Sequence, residues 1–307
     1  MRYIQTSVKY NNITIRIENS DIIVNMGSSP LKYKDTMLFL TNNNGEEIGR
    51  KTYKPTSIIR YPASELQNGI YSLNLLVRKG SENIFWAYFQ KNDILIIIRG
   101  HELSFKYSPI TKGNNSKLIS LTNQPSFIEN SLKCSTELQV ADSKIKTLAF
   151  DISQGLIFDY AKILAVHDWI AENIYYDLDA LHSGQYRYND VSAVGTLTAK
   201  RGVCQGISNL SVAILRSMGI PAYGLLCFAL GVSTNGGWEK YNNLNSPPNH
   251  QITIAYANSR WIIMDVTWDS DNIYENGEYK NKTGLGVSHK YFDSTIGFIS
   301  NTHRFTL

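Results

Sequence analysis

The feature that most constrains this chain is a change of hydrophobic period near residue 110. Before it, apolar residues alternate with polar ones at the two-residue step of a strand. Beyond it, they recur at the three- and four-residue steps of a helix with one buried face. Ser7 to Ile17 alternates around a turn at Tyr10-Asn11-Asn12, with Ile13, Ile15 and Ile17 on one face and Thr14 and Arg16 on the other. Thr36–Leu40, Gly69–Val77, Ile84–Phe89 and Ile94–Ile98 read as further strands, parted by turns such as Asn42-Asn43-Asn44-Gly45.

Short strands at this spacing predict an all-β sandwich over residues 1–115. The stretch Leu66-Gln67-Asn68-Gly69-Ile70-Tyr71-Ser72-Leu73 resembles the turn-into-strand element of immunoglobulin- and fibronectin-like modules. Charge divides near the same place. Residues 1–120 hold 16 Lys/Arg against 9 Asp/Glu, whereas residues 121–307 hold 14 against 17. Two modules are therefore expected, with a linker at 116–135 inside a stretch rich in Asn, Ser, Lys and Gly (Thr111–Asn130). No Lys/Arg run exceeds two residues, so the basic half reads as a solvated surface and nucleic acid is not an expected partner. No apolar run reaches the roughly 18 residues of a membrane span, and Met1–Gln5 lacks the apolar segment of an export signal. That start fits a cytoplasmic protein or an exported one supplied without its signal.

Residues 136–307 predict an α+β domain. Helices are expected over Glu137–Ser153 and Phe158–Asn173, the second carrying Ile163, Val166 and Ile170 at helical spacing. A third begins at Cys204 and runs through Leu210, Ala213, Ile214 and Met218, with Gly219 placed to end it and Pro221 to stop it. A strand should follow over Ala222–Leu230. Gly231–Asn249 is a long polar loop carrying Trp238, with glycines suited to hinging a lid over a cleft. A hairpin then pairs His250–Tyr256 with Trp261–Trp268 about a turn at Asn258-Ser259.

Three cysteines, Cys134, Cys204 and Cys227, are too few for a disulfide framework and none has zinc-ligand spacing. Cys204 differs from the others in opening a helix. There the partial positive charge and the outward N–H groups favour thiolate and could hold an oxyanion. A small buried hydrophobe is the plainer reading of a free cysteine. In the hairpin, a turn centred between Asn258 and Ser259 puts Ile252 opposite Asp265 and His250 opposite Thr267. His250 and Asp265 then share a face as diagonal neighbours about 7–8 Å apart, within reach of a side-chain hydrogen bond. Spacing alone leaves this equally open to a surface histidine beside an unrelated aspartate.

Several ordered segments resemble the bacterial transglutaminase-like superfamily: Val203-Cys204-Gln205-Gly206, the His250 strand, and Trp261 through Asp265-Val266-Thr267-Trp268-Asp269. His167-Asp168-Trp169 through Tyr176-Asp177, Gly219-Ile220-Pro221-Ala222 and His289-Lys290-Tyr291-Phe292-Asp293 add to it. The resemblance covers about 145–307. It implies a papain-like α+β fold with the cysteine helix on an antiparallel sheet. It also implies a triad of Cys204 as nucleophile, His250 as general base and acid, and Asp265 as orienting carboxylate. Ile207, Gln251-Ile252-Thr253 and Val194 depart from the family's usual residues around cleft and oxyanion. Gln205 is the candidate second oxyanion donor, and Trp238 and Trp268 are candidate cleft residues. His167, adjacent to Asp168 on a helix and so on a different face, reads as packing, as do Trp169 and Trp261. Cys134 and Cys227 read as structural.

The expected activity is that of a thiol enzyme cleaving or transferring acyl groups of peptide or protein amides, a cysteine peptidase before a crosslinking transamidase. A scaffold without turnover and a glycan–asparagine amidase are the alternatives. No cofactor is expected. Nor is a metal, since Asp269 and Asp271 lack an ordered ligand loop. The N-terminal module is expected to meet a cell-surface or cell-wall target.

Overall fold

The computed structural model describes residues 7–10, 13–27, 33–42, 44, 46–78, 80, 83–89, 95–100, 102–106, 108–231, 247–294 and 296–306. The chain divides into two compact units. One is Met1–Lys112 with Thr295–Asn301, and the other is Gly113–Ser294 with Thr302–Leu307.

The first unit is strand-rich. Its strands are β1 (Ser7–Tyr10), β2 (Ile13–Glu18), β3 (Asp21–Asn25), β4 (Asp35–Thr41), β5 (Glu47–Tyr53), β6 (Ile58–Pro62), β7 (Gly69–Arg78), β8 (Trp86–Phe89), β9 (Leu95–Arg99) and β10 (Glu102–Lys106). One antiparallel sheet runs β1-β2-β3-β6. A second runs β10-β9-β7-β4-β5, with β8 also pairing β7. A single buried cluster draws Ile15, Ile22, Val24 and Ile59 from the first sheet and Leu38, Leu40, Leu73 and Leu75 from the second. Each such side chain contributes about 1.5–3 kcal/mol on burial.

In the second unit the expected linker is helical instead. Residues 116–135 hold the end of α1 (Pro109–Thr122, a helix that runs across the division between the units) and all of α2 (Pro125–Asn130). Further on lie α3 (Ser143–Ser153), α4 (Asp159–Asn173), β11 (Tyr175–Asp177), α5 (Leu178–Ser183), α6 (Ala193–Ala199), β12 (Arg201–Gly202) and α7 (Cys204–Ser217). Helix α3 starts later than its periodicity suggests, because the Asp142 side chain accepts the Lys144 N–H at 2.8 Å and caps it there. Strands β13 (Ala222–Ala229), β14 (His250–Ala257) and β15 (Arg260–Met264) follow, then α8 (Val266–Asp269), β16 (Asn272–Glu275), β17 (Glu278–Asn281), α9 (Ile296–Ile299, of the first unit) and β18 (His303–Phe305).

An antiparallel sheet in the order β15-β14-β13-β18 carries the site, and a smaller sheet runs β12-β11-β16-β17. The core joins Ile207, Leu210, Ala213 and Ile214 of α7 to Ala222, Ala255, Ile262 and Met264 of the sheet. Helix α7 ends as its sequence requires. Gly219 takes φ +79°, donating to Arg216 O at 3.0 Å, while Ile220 N donates to Leu215 O at 3.0 Å. That pair of bonds is a Schellman cap. Gly206 lies one turn from the other end, where an added Cβ would sit 2.5 Å from Thr196 Oγ1, so only glycine lets α6 lie this close. Among the described residues, no helix is long and apolar enough to cross a membrane.

The β14–β15 hairpin has the anticipated register over its ordered part, with Thr253 opposite Met264 and Ile254 opposite Ile263. Asn258 and Ser259 both take positive φ, the two-residue turn that matches strand twist. Strand β15 nevertheless ends at Met264 rather than running to Trp268. Asp265 N donates to Tyr291 O, and the Asp265 carboxylate caps α8 by accepting the Trp268 N–H at 3.2 Å. The residues 265–268 therefore leave the ladder, and the anticipated His250–Thr267 pairing does not form.

Candidate functional site

Cys204 is the first residue of α7 and Val203 is its N-cap, without a side-chain cap bond. The first intrahelical bond of the following turn runs from Ile207 N to Val203 O, so the N–H groups of Cys204, Gln205 and Gly206 have no carbonyl one turn earlier. The residue reaches solvent in part, although protein surrounds its sulfur on nearly every side. Burial opposes ionisation of the thiol. The hydrogen bond and charge of His250, with the backbone N–H of Gln251, outweigh it and bring the thiol below its ordinary pKa.

His250 opens β14 opposite Cys227 of β13. Its Nε2–H donates to Asp265 Oδ2 at 2.8 Å, which leaves Nδ1 as the ring nitrogen for the sulfur. Burial disfavours the charged imidazole, but the charge and hydrogen bond of Asp265, then those of Cys204, hold it up to about 10. Asp265 is 1% exposed. Burial would raise its pKa, yet His250 and then His303 hold it well below the usual carboxylate range. The thiol, the imidazole and the carboxylate therefore each push the next towards its charged form, against burial that opposes all three.

Helix α7 is seated on the sheet by a buried polar seam that sequence reading did not find. Ser208 Oγ donates to Ile252 O at 3.0 Å and lies 3.0 Å from Thr253 Oγ1. Gln251 Nε2 donates to Asn209 Oδ1 at 3.2 Å, and Asn209 Nδ2 to Val191 O at 2.9 Å. The seam passes under Gly224, where a Cβ would meet Gln251 Nε2 at 2.4 Å. Gln251 and Thr253, which depart from the family's usual residues, thus fix the helix on the strand that carries His250.

Trp268 packs on both imidazoles near Asp265, with ring centroids 5.7 Å from His250 and 4.6 Å from His303, and so walls the site. Gln205 is exposed, one residue beyond the sulfur. Trp238 and most of the loop that could form a lid (232–246) lie outside the described residues. Tyr176 of β11 stays protonated, first through burial and then through the charges of Cys204 and Asp265. Cys227 is fully buried, and burial with the charges of Asp265 and Cys204 pushes its thiol well up. Cys134 is exposed.

Two further histidines join carboxylates: His303, which carries no signal in the sequence, and His289, which enters there only as part of the resemblance. His303 Nε2 lies 3.1 Å from the same Asp265 Oδ2 that His250 bonds. His289 Nε2 lies 2.7 Å from Asp168 Oδ1, which is also 2.8 Å from His167 Nδ1. His167 Nε2 in turn lies 3.2 Å from Asp269 Oδ2. Neighbours on a helix point to different faces, but the Asp168 side chain turns back onto the His167 ring. His167 is fully buried, and the set ties α4 to α8 and to residue 289. In each of the groups His250/Asp265/His303 and His167/Asp168/His289 the ligand atoms lie within 4.8 Å of one another, a spacing that a metal ion could use. Only chain distance hid them: residues 38 and 121 apart share one oxygen.

Residues 146–266 match the family model of the transglutaminase-like superfamily, and they form a domain of that superfamily. The match spans Cys204, His250 and Asp265. Among solved structures, a candidate cysteine protease from Cytophaga hutchinsonii is similar at 20% identity and a TM-score of 0.36, over 86% of this chain and 70% of that one. A candidate protease from Parabacteroides distasonis is similar at 12% identity and a TM-score of 0.30; the likeness covers 82% of this chain and 62% of that one. No curated protein matches the chain.

Proposed function

We propose that the transglutaminase-like domain is a thiol acyl-transfer enzyme that hydrolyses peptide or protein amides, a cysteine peptidase. Cys204 is its nucleophile, His250 its general base and acid, and Asp265 its orienting carboxylate. One observation carries this reading: a cysteine at a helix start lies against an imidazole that draws its thiol below the ordinary pKa, and that ring's other nitrogen is 2.8 Å from a buried carboxylate.

The chemistry follows from those positions. The Cys204 thiolate attacks the amide carbonyl, and the helix-start N–H groups of Cys204 and Gln205 face the oxygen that becomes charged. His250 Nδ1–H gives its proton to the leaving amine as the C–N bond breaks, leaving a thioester on Cys204. Water then gives a proton to Nδ1 and attacks the thioester, and the carboxylic acid departs as the thiolate–imidazolium pair re-forms. Asp265 accepts the Nε2–H bond throughout, keeping Nδ1 on the sulfur. Hydrolysis is preferred to crosslinking because water suffices, whereas transamidation needs a second groove for an amine. The strand-rich first unit is read as an immunoglobulin- or fibronectin-like module that holds a cell-surface or cell-wall target.

Iodoacetamide mapping tests this reading. Cys204 should be labelled ahead of exposed Cys134 and buried Cys227, with a rate that falls less steeply between about pH 8 and pH 6 than an ordinary thiol's. An ordinary thiol, with a pKa of about 8.5, loses almost tenfold per unit over that range. Faster labelling of Cys134 or Cys227 in the folded protein would remove Cys204 from the nucleophile's role.

A further inference from the structure

The proposed mechanism leaves a buried histidine that meets the triad's carboxylate without a task. His303 is fully buried on β18, the last strand of the chain, which pairs with β13 so that Ala229 faces His303. We propose that His303 is a positioning residue for the acyl transfer: a neutral imidazole whose Nε2–H locks the Asp265 carboxylate onto His250. The proposal rests on the Cys204–His250–Asp265 reading and deepens it.

The geometry supplies three supports. First, Asp265 Oδ2 accepts from two rings, His250 Nε2 at 2.8 Å and His303 Nε2 at 3.1 Å, while Oδ1 accepts the Trp268 N–H at 3.2 Å. A carboxylate held by one donor can swing about its Cβ–Cγ bond. Donors on both oxygens, two of them converging on Oδ2, leave it one orientation. Second, His303 Nδ1 lies 2.9 Å from Thr302 Oγ1. The hydroxyl can donate to the Nδ1 lone pair, which fixes the proton on Nε2, the nitrogen facing Asp265. Third, β18 is pinned. The buried Asn114 amide donates to His303 O at 2.8 Å and accepts Phe305 N at 2.9 Å, and Leu230 N donates to Thr302 O at 3.0 Å. Trp268 at 4.6 Å and Tyr291 at 5.8 Å close on the ring.

Full burial of the ring favours its neutral form. The ionisable groups brought to this pocket are His250 of β14, Cys227 of β13, Cys204 of α7, Tyr176 of β11, Asp265 and Asp269 at α8, and Tyr291. Cys227 and Tyr176 are held protonated, the Cys204 thiolate faces His250, and Asp269 is engaged by His167. A neutral N–H donor orients the carboxylate without competing with His250 for its charge.

The 307-residue chain with p-nitrophenyl acetate as acyl donor tests the assignment, using His303→Leu to remove the donor and His303→Gln to restore an N–H near the Nε2 position. Without the donor, more of the carboxylate charge acts on His250 and stabilises its imidazolium. The acid limb of kcat, where His250 must be neutral to deprotonate water, should move to higher pH. His303→Leu should lower kcat about tenfold with KM within about twofold, and His303→Gln should recover both kcat and the limb. Imidazole 15N shifts of the resting wild type should show His303 neutral with its proton on Nε2.

A Leu variant with wild-type kcat and acid limb would overturn the proposal. So would equal losses in the Leu and Gln variants in step with their folded fractions, or a doubly protonated His303. If the wild type neither turns over the ester nor labels at Cys204, the acyl-transfer reading itself falls. An active wild type with an indifferent Leu variant removes only the role of His303.

Discussion

Asp265→Asn should cost about 10³–10⁴ in kcat, even though asparagine has the aspartate's shape. The loss follows from counting donors and acceptors around a side chain that is 1% exposed. Oδ2 faces two imidazole N–H groups and Oδ1 faces the Trp268 N–H. An amide has one accepting oxygen, so its NH₂ group must confront either the two rings or the helix cap. The first arrangement turns His250 so that Nε2 becomes the acceptor and Nδ1 carries the proton permanently. The second breaks the α8 cap. Either way the charge that holds the His250 imidazole up to about 10 is gone, and the pair with Cys204 reverts to neutral thiol and neutral imidazole.

The same substitution should alter stability with pH. The folded-state pKa of Asp265 is depressed, so its contribution is present above the ordinary carboxylate range and is lost as pH falls into strong acid. His250, raised, contributes below its unfolded pKa of about 6.5, and that contribution fades as pH rises through about 10. Asp265→Asn should remove both, flattening the profile of melting temperature below about pH 4 and again between about pH 6.5 and pH 10. Steady-state kinetics beside thermal melts read the two effects separately. A D265N variant that keeps a tenth of the activity would show that Asp265 does not orient His250.

Cys204→Ala should abolish turnover, by at least about 10⁴-fold, while leaving the melting temperature unchanged or higher. The activity loss is the loss of the nucleophile. The stability outcome is less intuitive and follows from desolvation. The thiolate and imidazolium are held in protein-dense surroundings, where charges cost several kcal/mol to keep from water. Alanine removes one of them, lets His250 relax towards its ordinary pKa, and deletes only one heavy atom from a partly accessible position. Cys227→Ala gives the contrast, since a fully buried β-strand thiol lost from the sheet should lower stability without touching the chemistry. Kinetics and melting of the two variants separate these roles. Activity lost at Cys227 but retained at Cys204 would reverse them.

The parts legible in the sequence were those whose signals are local. Helix α7 was marked at its far end by Gly219 with Pro221. The β14–β15 register was set by a two-residue turn at Asn258-Ser259. The parts missed depend on distant partners. Helix α1 is polar, with only Thr111, Asn114 and Leu121 buried, and reads as a linker. In the fold, its Asn114 grips the backbone of β18. Strand β5, Glu-Ile-Gly-Arg-Lys-Thr-Tyr, is mostly exposed and has no alternation to detect, while β3 and β6 are five residues each. Val266-Thr267-Trp268 has the composition of a strand, and the Asp265 cap together with Tyr291 overrides it. His303 carried no local signal, since its role depends on an aspartate 38 residues earlier.

Intact mass and peptide mapping after brief acid quench of the protein with an activated acyl ester address the central claim most directly. One acyl group carried as a thioester on the Cys204 peptide, released by hydroxylamine and absent from Cys204→Ala, is the predicted result. Acylation confined to Cys134 or to lysines, at the same rate with and without Cys204, would contradict the existence of an activated thiol at the head of α7.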